Sequence, residues 1–376
     1  MLVYKAMTER LVMIPEQKAL NILIIGAGPT GLTAALELAR YGVKADIVDK
    51  KMEPSTLSRA VGIMPVSIEL LRPFGVGDAI LREGVPLQKV MFHRGERRLA
   101  FLDFSDITEP GNTIIGLAQD RTETLMSEAL QTFGVEVKYD HIVTVVEDCA
   151  DHVKVSFANG DTGNYDWVIA ADGVRSVVRE QLNIPFVGYD LPEDWSIADV
   201  DIGEKYEQGL FSAWLGEDGK PTIIVPIDVQ RVRVVSATSD ALKSLPKAVL
   251  SNLDVSHVRR SGTFTISVRQ AETYHKGRIL LAGDAAHCHS PVGGRGMNLG
   301  IADAVAAAQA ILNHSPEEYS CQRHLAGARV IRETERARKL IVSESPVAKL
   351  FLTVMLGMVE KLPFMKKRML RQMTSF

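Results

Sequence analysis

The stretch NILIIGAGPTGLTAALELARYGVKADIVDK, residues 21–50, limits what this chain can fold into more than any other. Ile22 to Ile25 is a short β-rich apolar run of the kind that makes a buried parallel strand. Gly26, Gly28 and Gly31 follow as G-x-G-x-x-G, and the apolar spacing from Leu32 to Leu38 is helical. Gly42 is placed to end that helix. Ala45 to Val48 reads as a second strand, which Asp49 closes. Gly26 permits a tight turn, Gly28 lets the backbone approach a pyrophosphate, and Gly31 lets helix and strand pack closely. The helix N-terminus then faces the phosphates with unpaired amides, and Asp49 can accept hydrogen bonds from a ribose hydroxyl. Thr30 and Lys50 belong to the same motif and are counted with it. The pattern predicts a βαβ dinucleotide-binding unit; the plainer alternative is a glycine-rich turn in an ordinary βαβ unit. The acid does not separate NAD from FAD, because both present the same adenosine ribose.

Two later stretches share that architecture. In YDWVIAADGVRSVVR, residues 165–179, Trp167 to Ala170 looks like a buried strand and Asp172-Gly173 makes a sharp turn. Arg175, Ser176 and Arg179 follow on an expected short helix. Alone, this implies no chemistry. In GRILLAGDAAHCHSPVGGRGMNLGIADA, residues 277–304, Ile279 to Ala282 is an expected strand ended by Gly283-Asp284, and an apolar helix is expected near Met297. An acid at a strand end can bind vicinal hydroxyls of a sugar-like chain. Gly293, Gly294 and Gly296 remove side chains where a flat ligand would lie. The amides of Met297 and Asn298 open the helix and can donate to a ligand oxygen carrying negative charge. Residues 283–300 also hold two histidines, a cysteine and an arginine, so a metal site and a nucleophilic catalyst stay open beside a backbone cradle.

Composition narrows the classes. The 376 residues are 46% apolar and 24% charged, ordinary globular values with room for two domains. A net charge of −3 argues against nucleic acid, which requires a concentrated basic face. Cys149, Cys288 and Cys321 are far apart and lack ligand spacing, so they read as reduced thiols in a cytoplasmic protein. The first twenty residues carry charges throughout and read as a loose extension rather than a signal peptide. The longest apolar run, LFLTVMLGMV at 350–359, is too short for a bilayer, which needs about 20 residues.

The three motifs, in this order and spacing, resemble those of the para-hydroxybenzoate-hydroxylase-like, FAD-dependent group A flavoprotein monooxygenases over about residues 20–340. The resemblance implies that the first motif binds the ADP half of FAD. It implies that Asp172 and Gly173 lie near FAD and the nicotinamide route, and that Gly283 and Asp284 hold the ribityl chain. Pro291 would sit beside the isoalloxazine, with Gly296, Met297 and Asn298 along its pyrimidine edge. SRAVGIMPVSIELLRPFGV, residues 58–76, resembles the segment whose arginine, here Arg59, lies near the FAD phosphates. AQDRTETLM, residues 118–126, resembles the helix whose glutamine, here Gln119, contacts the cofactor. Arg59 as a surface charge and Gln119 as a helix cap are the plainer readings. The family often has Gln where this chain has Arg295, which would either bring positive charge near the reduced flavin or turn outward. On this resemblance residues 283–300 are a backbone cradle, His287 braces the loop, and Cys288 with His289 makes a poor chelate for want of a third ligand. No metal is expected.

The resulting fold expectation is α/β: a discontinuous Rossmann-like FAD-binding domain from 20–85, 112–185 and 270–335. An inserted mixed β-sheet substrate domain from 86–111 and 186–269 roofs the flavin, and C-terminal helices fill 336–376. HIVTVVED and HVKVSFANG suggest a β-meander feeding the Asp172-Gly173 strand. A small aromatic or lipophilic substrate would lie between roof and flavin. The resemblance implies that NADPH or NADH binds transiently as hydride donor, that the reduced flavin and dioxygen give a flavin hydroperoxide, and that this hydroxylates or epoxidises the substrate. No catalytic base is assigned; His93, Trp214 and Phe211 are candidate pocket residues. A flavin halogenase would need Trp-x-Trp-x-Ile-Pro, and the chain has only SAWLG near Trp214. A flavin-dependent reductase of prenyl-type double bonds, a monooxygenase fed by a separate reductase, and a non-catalytic redox sensor remain alternatives. The protein is expected as a monomer or homodimer. Residues 346–376 read as a helix capping the FAD domain with a solvated basic end, the alternative being a membrane-surface helix.

Overall fold

Apolar runs separated by helices and crossovers become the parallel core of a six-stranded sheet. The structure is a computed structural model, and it describes residues 20–54, 60–107, 113–203, 206–216 and 218–374. The first nineteen residues of the expected N-terminal extension, and Arg59, lie outside the described residues. The sheet order is His275–Lys276, Ile279–Leu281, Trp167–Ala170, Ile22–Ile25, Asp46–Val48, Val137–Lys138. Its inner strands are parallel, with Ile25 opposite Ala170 and Ala170 opposite Leu281. They are buried on both faces, as continuous Val/Ile/Leu runs require. All three motif turns therefore leave the same carboxyl edge on adjacent strands.

The helices are α1 (Pro29–Arg40), α2 (Pro65–Leu71), α3 (Val76–Glu83), α4 (Gln119–Thr132), α5 (Val177–Gln181), α6 (Lys247–Leu253), α7 (Gly296–Leu312), α8 (Pro316–Ile341), α9 (Pro346–Lys361) and α10 (Pro363–Thr374). Proline opens α1, α2, α8 and α9, where its missing N–H leaves no bond unmade. Helix α1 packs on α7 and α4. The antiparallel meander Val143–Asp148, Val153–Phe157, Thr162–Tyr165 adds Val143, Val146, Val153 and Val155 to the same core.

A seven-stranded mixed sheet forms the roof, in the order His257–Phe264, Trp195–Asp201, Arg231–Ser236, Thr222–Asp228, Leu210–Trp214, Lys89–Arg94, Arg97–Asp103. Only Leu210–Trp214 with Lys89–Arg94 is parallel. Strands Phe186–Asp190 and Ser267–Ala271, from the stretch expected to build the roof, instead make a separate sheet with His287–Cys288. Gly188, at φ +143°, permits this pairing, since a Cβ there would overlap the Val268 carbonyl.

Alternation along the roof decides the pocket candidates. Trp214 packs with Ala198, Val200, Ile224, Val232 and Val234 under α6, and His93 stacks on it at 4.9 Å. Both therefore lie on the face turned away from the parallel sheet, which corrects their candidacy as pocket residues. Phe211 is on the opposite face, packed with Val61, Ala118, Val225 and Ile227. The C-terminal helices also differ from expectation. Helices α9 and α10 pack on Val90, Ala100, Leu102 and Phe104 of the roof rather than capping the parallel-sheet core. Among the described residues no single helix is long and apolar enough to cross a membrane.

Candidate functional site

The first motif turns as its glycines require. Gly26 has φ +106°, and a Cβ on it would overlap the Ala171 carbonyl. A Cβ on Gly31 would overlap the Gly26 carbonyl, so helix and strand meet at backbone contact. Gly28 differs: its φ is an ordinary −79°, and a Cβ there would meet nothing within 4 Å. The space over Gly28 is open at the N-terminus of α1, whose first amides have no intrahelical partner. The buried Asp49 holds the second strand to this loop, its Oδ2 accepting from the Ala27 amide and its Oδ1 from the Lys51 amide, both at 2.8 Å. Lys50 is exposed beside it.

Thr30 joins the first motif to the third. A Cβ on Gly283 would come within 2.5 Å of Thr30 Oγ1, and one on Gly300 would overlap the same atom. The hydroxyl therefore fits a notch made by two glycines. Gly283, at φ +61°, turns the chain so that Asp284 emerges exposed at the carboxyl edge.

The second motif is tied to the third by Arg179. Gly173 has φ +83°, and Asp172 Oδ2 accepts from the Val178 amide at 3.3 Å. Asp172 Oδ1 is buried without a hydrogen-bond partner among the described residues, and burial raises that carboxyl's pKa. Arg175 precedes the short helix, Ser176 is its N-cap and Arg179 lies within it, so the helix begins later than expected. The buried Arg179 donates to the carbonyls of Ala285 and Val174, each at 2.9 Å, and covers the Phe186 ring at 3.8 Å.

Residues 290–298 form the cradle. Pro291 begins a tight turn in which the Gly294 amide donates to its carbonyl at 3.0 Å, and Gly293 and Gly294 both have positive φ. Gly296, Met297 and Asn298 make the first turn of α7 and leave their amides without intrahelical acceptors. The Asn298 side chain, fully buried, staples a neighbouring strand: Oδ1 accepts from the Met64 amide at 2.8 Å, and Nδ2 donates to the Gly62 and Gly294 carbonyls at 2.9 and 3.0 Å. Arg295 turns away from the cradle and donates to Glu333 on α8 at 2.6 Å and to the Gln372 carbonyl on α10 at 2.8 Å.

Both histidines are structural in their contacts. His287 Nε2 donates to Asp303 Oδ2 at 2.5 Å, which matches the bracing role read from the sequence. Asp303, fully buried, also accepts from the Gly283 amide at 3.1 Å and from Arg323 Nε at 2.6 Å. Burial alone would raise its pKa, but Arg323 and His287 outweigh that and hold it below the usual carboxylate value. Asp303 was missed, although a lone acid in the apolar run GMNLGIADAVAAAQAIL signals a paired buried charge. His289 donates from Nδ1 to the Ser290 carbonyl at 2.8 Å, and its buried Nε2 finds no partner among the described residues. Burial, helped by His287 and Arg295, pulls its pKa down to about 4. Among the described residues no group of three or more His, Cys, Asp or Glu side chains could hold a metal ion.

A second feature went unread. On the roof's inner face Arg233, fully buried, donates to both carboxylate oxygens of Asp199 at 2.7 and 2.8 Å, and Arg260 adds a bond at 2.5 Å. Burial pushes the Asp199 carboxyl up, and the two guanidinium groups more than offset it. Arg233 also donates to the Ala60 carbonyl at 3.0 Å, while the Ala60 amide donates to Gln119 Oε1 at 3.2 Å. Gln119 is the first residue of α4 and donates to Glu123 at 2.7 Å. The roof, through Arg233, and α4, through Gln119, thus grip the two sides of one residue.

The arrangement fits an FAD. Gly28 offers open space at a helix N-terminus, Asp284 stands exposed at the carboxyl edge, and amides without intrahelical acceptors begin α7. A sequence model of the family described as "FAD binding domain" matches residues 19–334. The 6-methylpretetramide 4-monooxygenase of Streptomyces rimosus is 30% identical, over 94% of this chain and 68% of that protein. The rifampicin monooxygenase of Streptomyces venezuelae is 30% identical, over 90% of this chain and 75% of that protein. The crystal structure of p-nitrophenol 4-monooxygenase from Pseudomonas putida superposes with a TM-score of 0.81 over 94% of this chain and 98% of that one, at 23% identity, a likeness of fold.

Proposed function

The chain belongs to the FAD-dependent group A aromatic hydroxylase family, and from that premise we propose that it oxygenates a small aromatic, polyketide-like substrate with NAD(P)H and dioxygen. The observation that carries the reading is the meeting of three turns, at Gly26–Gly31, Asp172-Gly173 and Gly283-Asp284, on one carboxyl edge where glycines clear the backbone. Relatives named for 6-methylpretetramide and rifampicin support the substrate class.

The bound flavin would supply hydride acceptance and oxygen activation. The chain's residues do the rest. The α1 amides and Gly28 receive the pyrophosphate, with Asp49 fixing the loop they belong to. Asp284 would bind ribityl hydroxyls, and the α7 amides would donate to the pyrimidine edge of the flavin. Phe211, Val225 and Ile227 on the roof's inner face pack with Val61 and Ala118 and would help exclude water from a bound flavin. Asp172, Gly173, Lys50 and Arg59 complete the proposed cofactor contacts.

Anaerobic mixing with NADPH, then NADH, tests this, with loss of the yellow flavin absorbance followed across a panel of phenols and quinoid polycycles. Bleaching accelerated by a panel member, followed by oxygen incorporation on aeration, is expected. Flavin that neither nucleotide bleaches would assign the chain to a separate reductase partner. Bleaching followed by reduction of a substrate double bond, with no oxygen incorporated, would make it a reductase.

A further inference from the structure

We propose that α9 and α10 form a docking surface for an anionic lipid bilayer. Helix α9 is apolar on two sides. Leu352, Leu356 and Val359 are buried against the roof strands. On the opposite side Val347, Leu350, Phe351, Val354 and Met358 are all exposed, Val347 at 77% and Leu350 at 65%. Their spacing of three and four residues makes one continuous stripe. It runs on through Leu362 to Phe364, 68% exposed at the corner between the helices. Single exposed apolar side chains are ordinary; a contiguous stripe marks a partner.

Charge identifies the partner. Between Lys361 and Thr374 the chain carries Lys361, Lys366, Lys367, Arg368 and Arg371 and no Asp or Glu. Lys361, Lys367 and Arg368 are exposed, while Lys366 donates to the Asp103 carbonyl at 2.5 Å. An apolar helical stripe that ends in cations without acids complements the acyl boundary and the headgroups of an anionic bilayer. A second copy of the chain is a poorer match. A two-fold contact along α9 would either run the stripes antiparallel, bringing each cationic corner to the positive dipole end of its partner's α9, or run them parallel, setting the two cationic corners side by side. Because α9 packs on Arg97–Asp103, a bound bilayer lies beside the roof.

Co-sedimentation of the full-length holoprotein with vesicles tests this, using phosphatidylcholine alone and phosphatidylcholine mixed with phosphatidylglycerol. Binding is expected on the mixed vesicles, weakened by salt. Lys367→Ala with Arg368→Ala should reduce it roughly twenty-five-fold, from a factor of about five per cation. Leu350→Glu with Phe351→Glu should abolish it, with flavin content and melting temperature checking the fold. If that pair fails to fold, the alanine pair and the salt series still decide. Absent binding, or equal binding to neutral vesicles, would overturn the proposal. So would a wild-type dimer in light scattering that Leu350→Glu converts to monomer, which would assign the stripe to a second copy.

Discussion

At Gly28 a side chain has room, and at Gly31 it has none, although the two glycines sit in one motif. The difference separates a binding role from a packing role. Gly28→Val should cost the apoprotein no more than about 1 kcal/mol, the scale of a changed N-cap. It should weaken FAD binding at least about a hundredfold, or roughly 2.7 kcal/mol, by filling the pyrophosphate's space. Titration of apoprotein with FAD, beside its thermal melt, measures both; a variant that keeps its flavin would remove the cofactor from this turn. His289 carries a second residue-scale prediction. Its folded pKa, about 4, lies below the ordinary 6.5, so between those values the unfolded chain binds the extra proton. Stability from this residue is present above pH 6.5 and is lost as pH falls toward 4. The loss should reach about 2 kcal/mol by pH 5, at 1.4 kcal/mol per pH unit. His289→Gln should flatten that part of the pH–stability curve, and an unchanged slope would mean the imidazole is not desolvated.

The cradle loop that opens α7 is held by other elements as well as by its own turn. Arg295 reaches α8 through Glu333 and α10 through the Gln372 carbonyl, with its side chain only 12% exposed. A double-mutant cycle of Arg295→Ala and Glu333→Ala should give a coupling of about 1 kcal/mol, above the usual surface pair. Arg295→Ala should also speed flavin dissociation, and an additive cycle would refute the latch. Sequence reading went furthest where one local pattern fixes an element. Ile22–Ile25 and Trp167–Ala170 are continuous apolar strands, and the start of α7 follows from its glycines. It stopped where a partner had to be known. Period-two alternation orders the two faces of a strand, but it does not give Phe186–Asp190 its pairing with Ser267–Ala271 instead of the roof. It shows that Trp214 and Phe211 face opposite ways without saying which way is inward. The buried Arg233–Asp199 pair joins residues 34 positions apart, and nothing in either neighbourhood announces it.

That pair acts beyond its own sheet, because its Arg233 also fastens the roof to the Ala60 carbonyl. Arg233 is fully buried, so Asp199→Asn leaves a guanidinium in the interior without its counter-charge. Breaking a buried pair in this way costs about 3–5 kcal/mol. Replacing both partners by apolar side chains, as in Asp199→Leu with Arg233→Met, removes the uncompensated charge and should recover most of that loss. Arg260, whose side chain is 17% exposed, can turn to solvent in that variant. What the double variant does not restore is the bond from Arg233 to the Ala60 carbonyl, which meets the Gln119 contact from the other side. Stability and flavin grip should therefore separate. In urea, tryptophan fluorescence should report a double variant near wild type and Asp199→Asn well below it. Flavin release should come before unfolding in the double variant and coincide with it in the wild type. If the double variant released its flavin only on unfolding, the clamp would serve stability alone. If it melted as low as Asp199→Asn, the uncompensated guanidinium would not be the source of that loss.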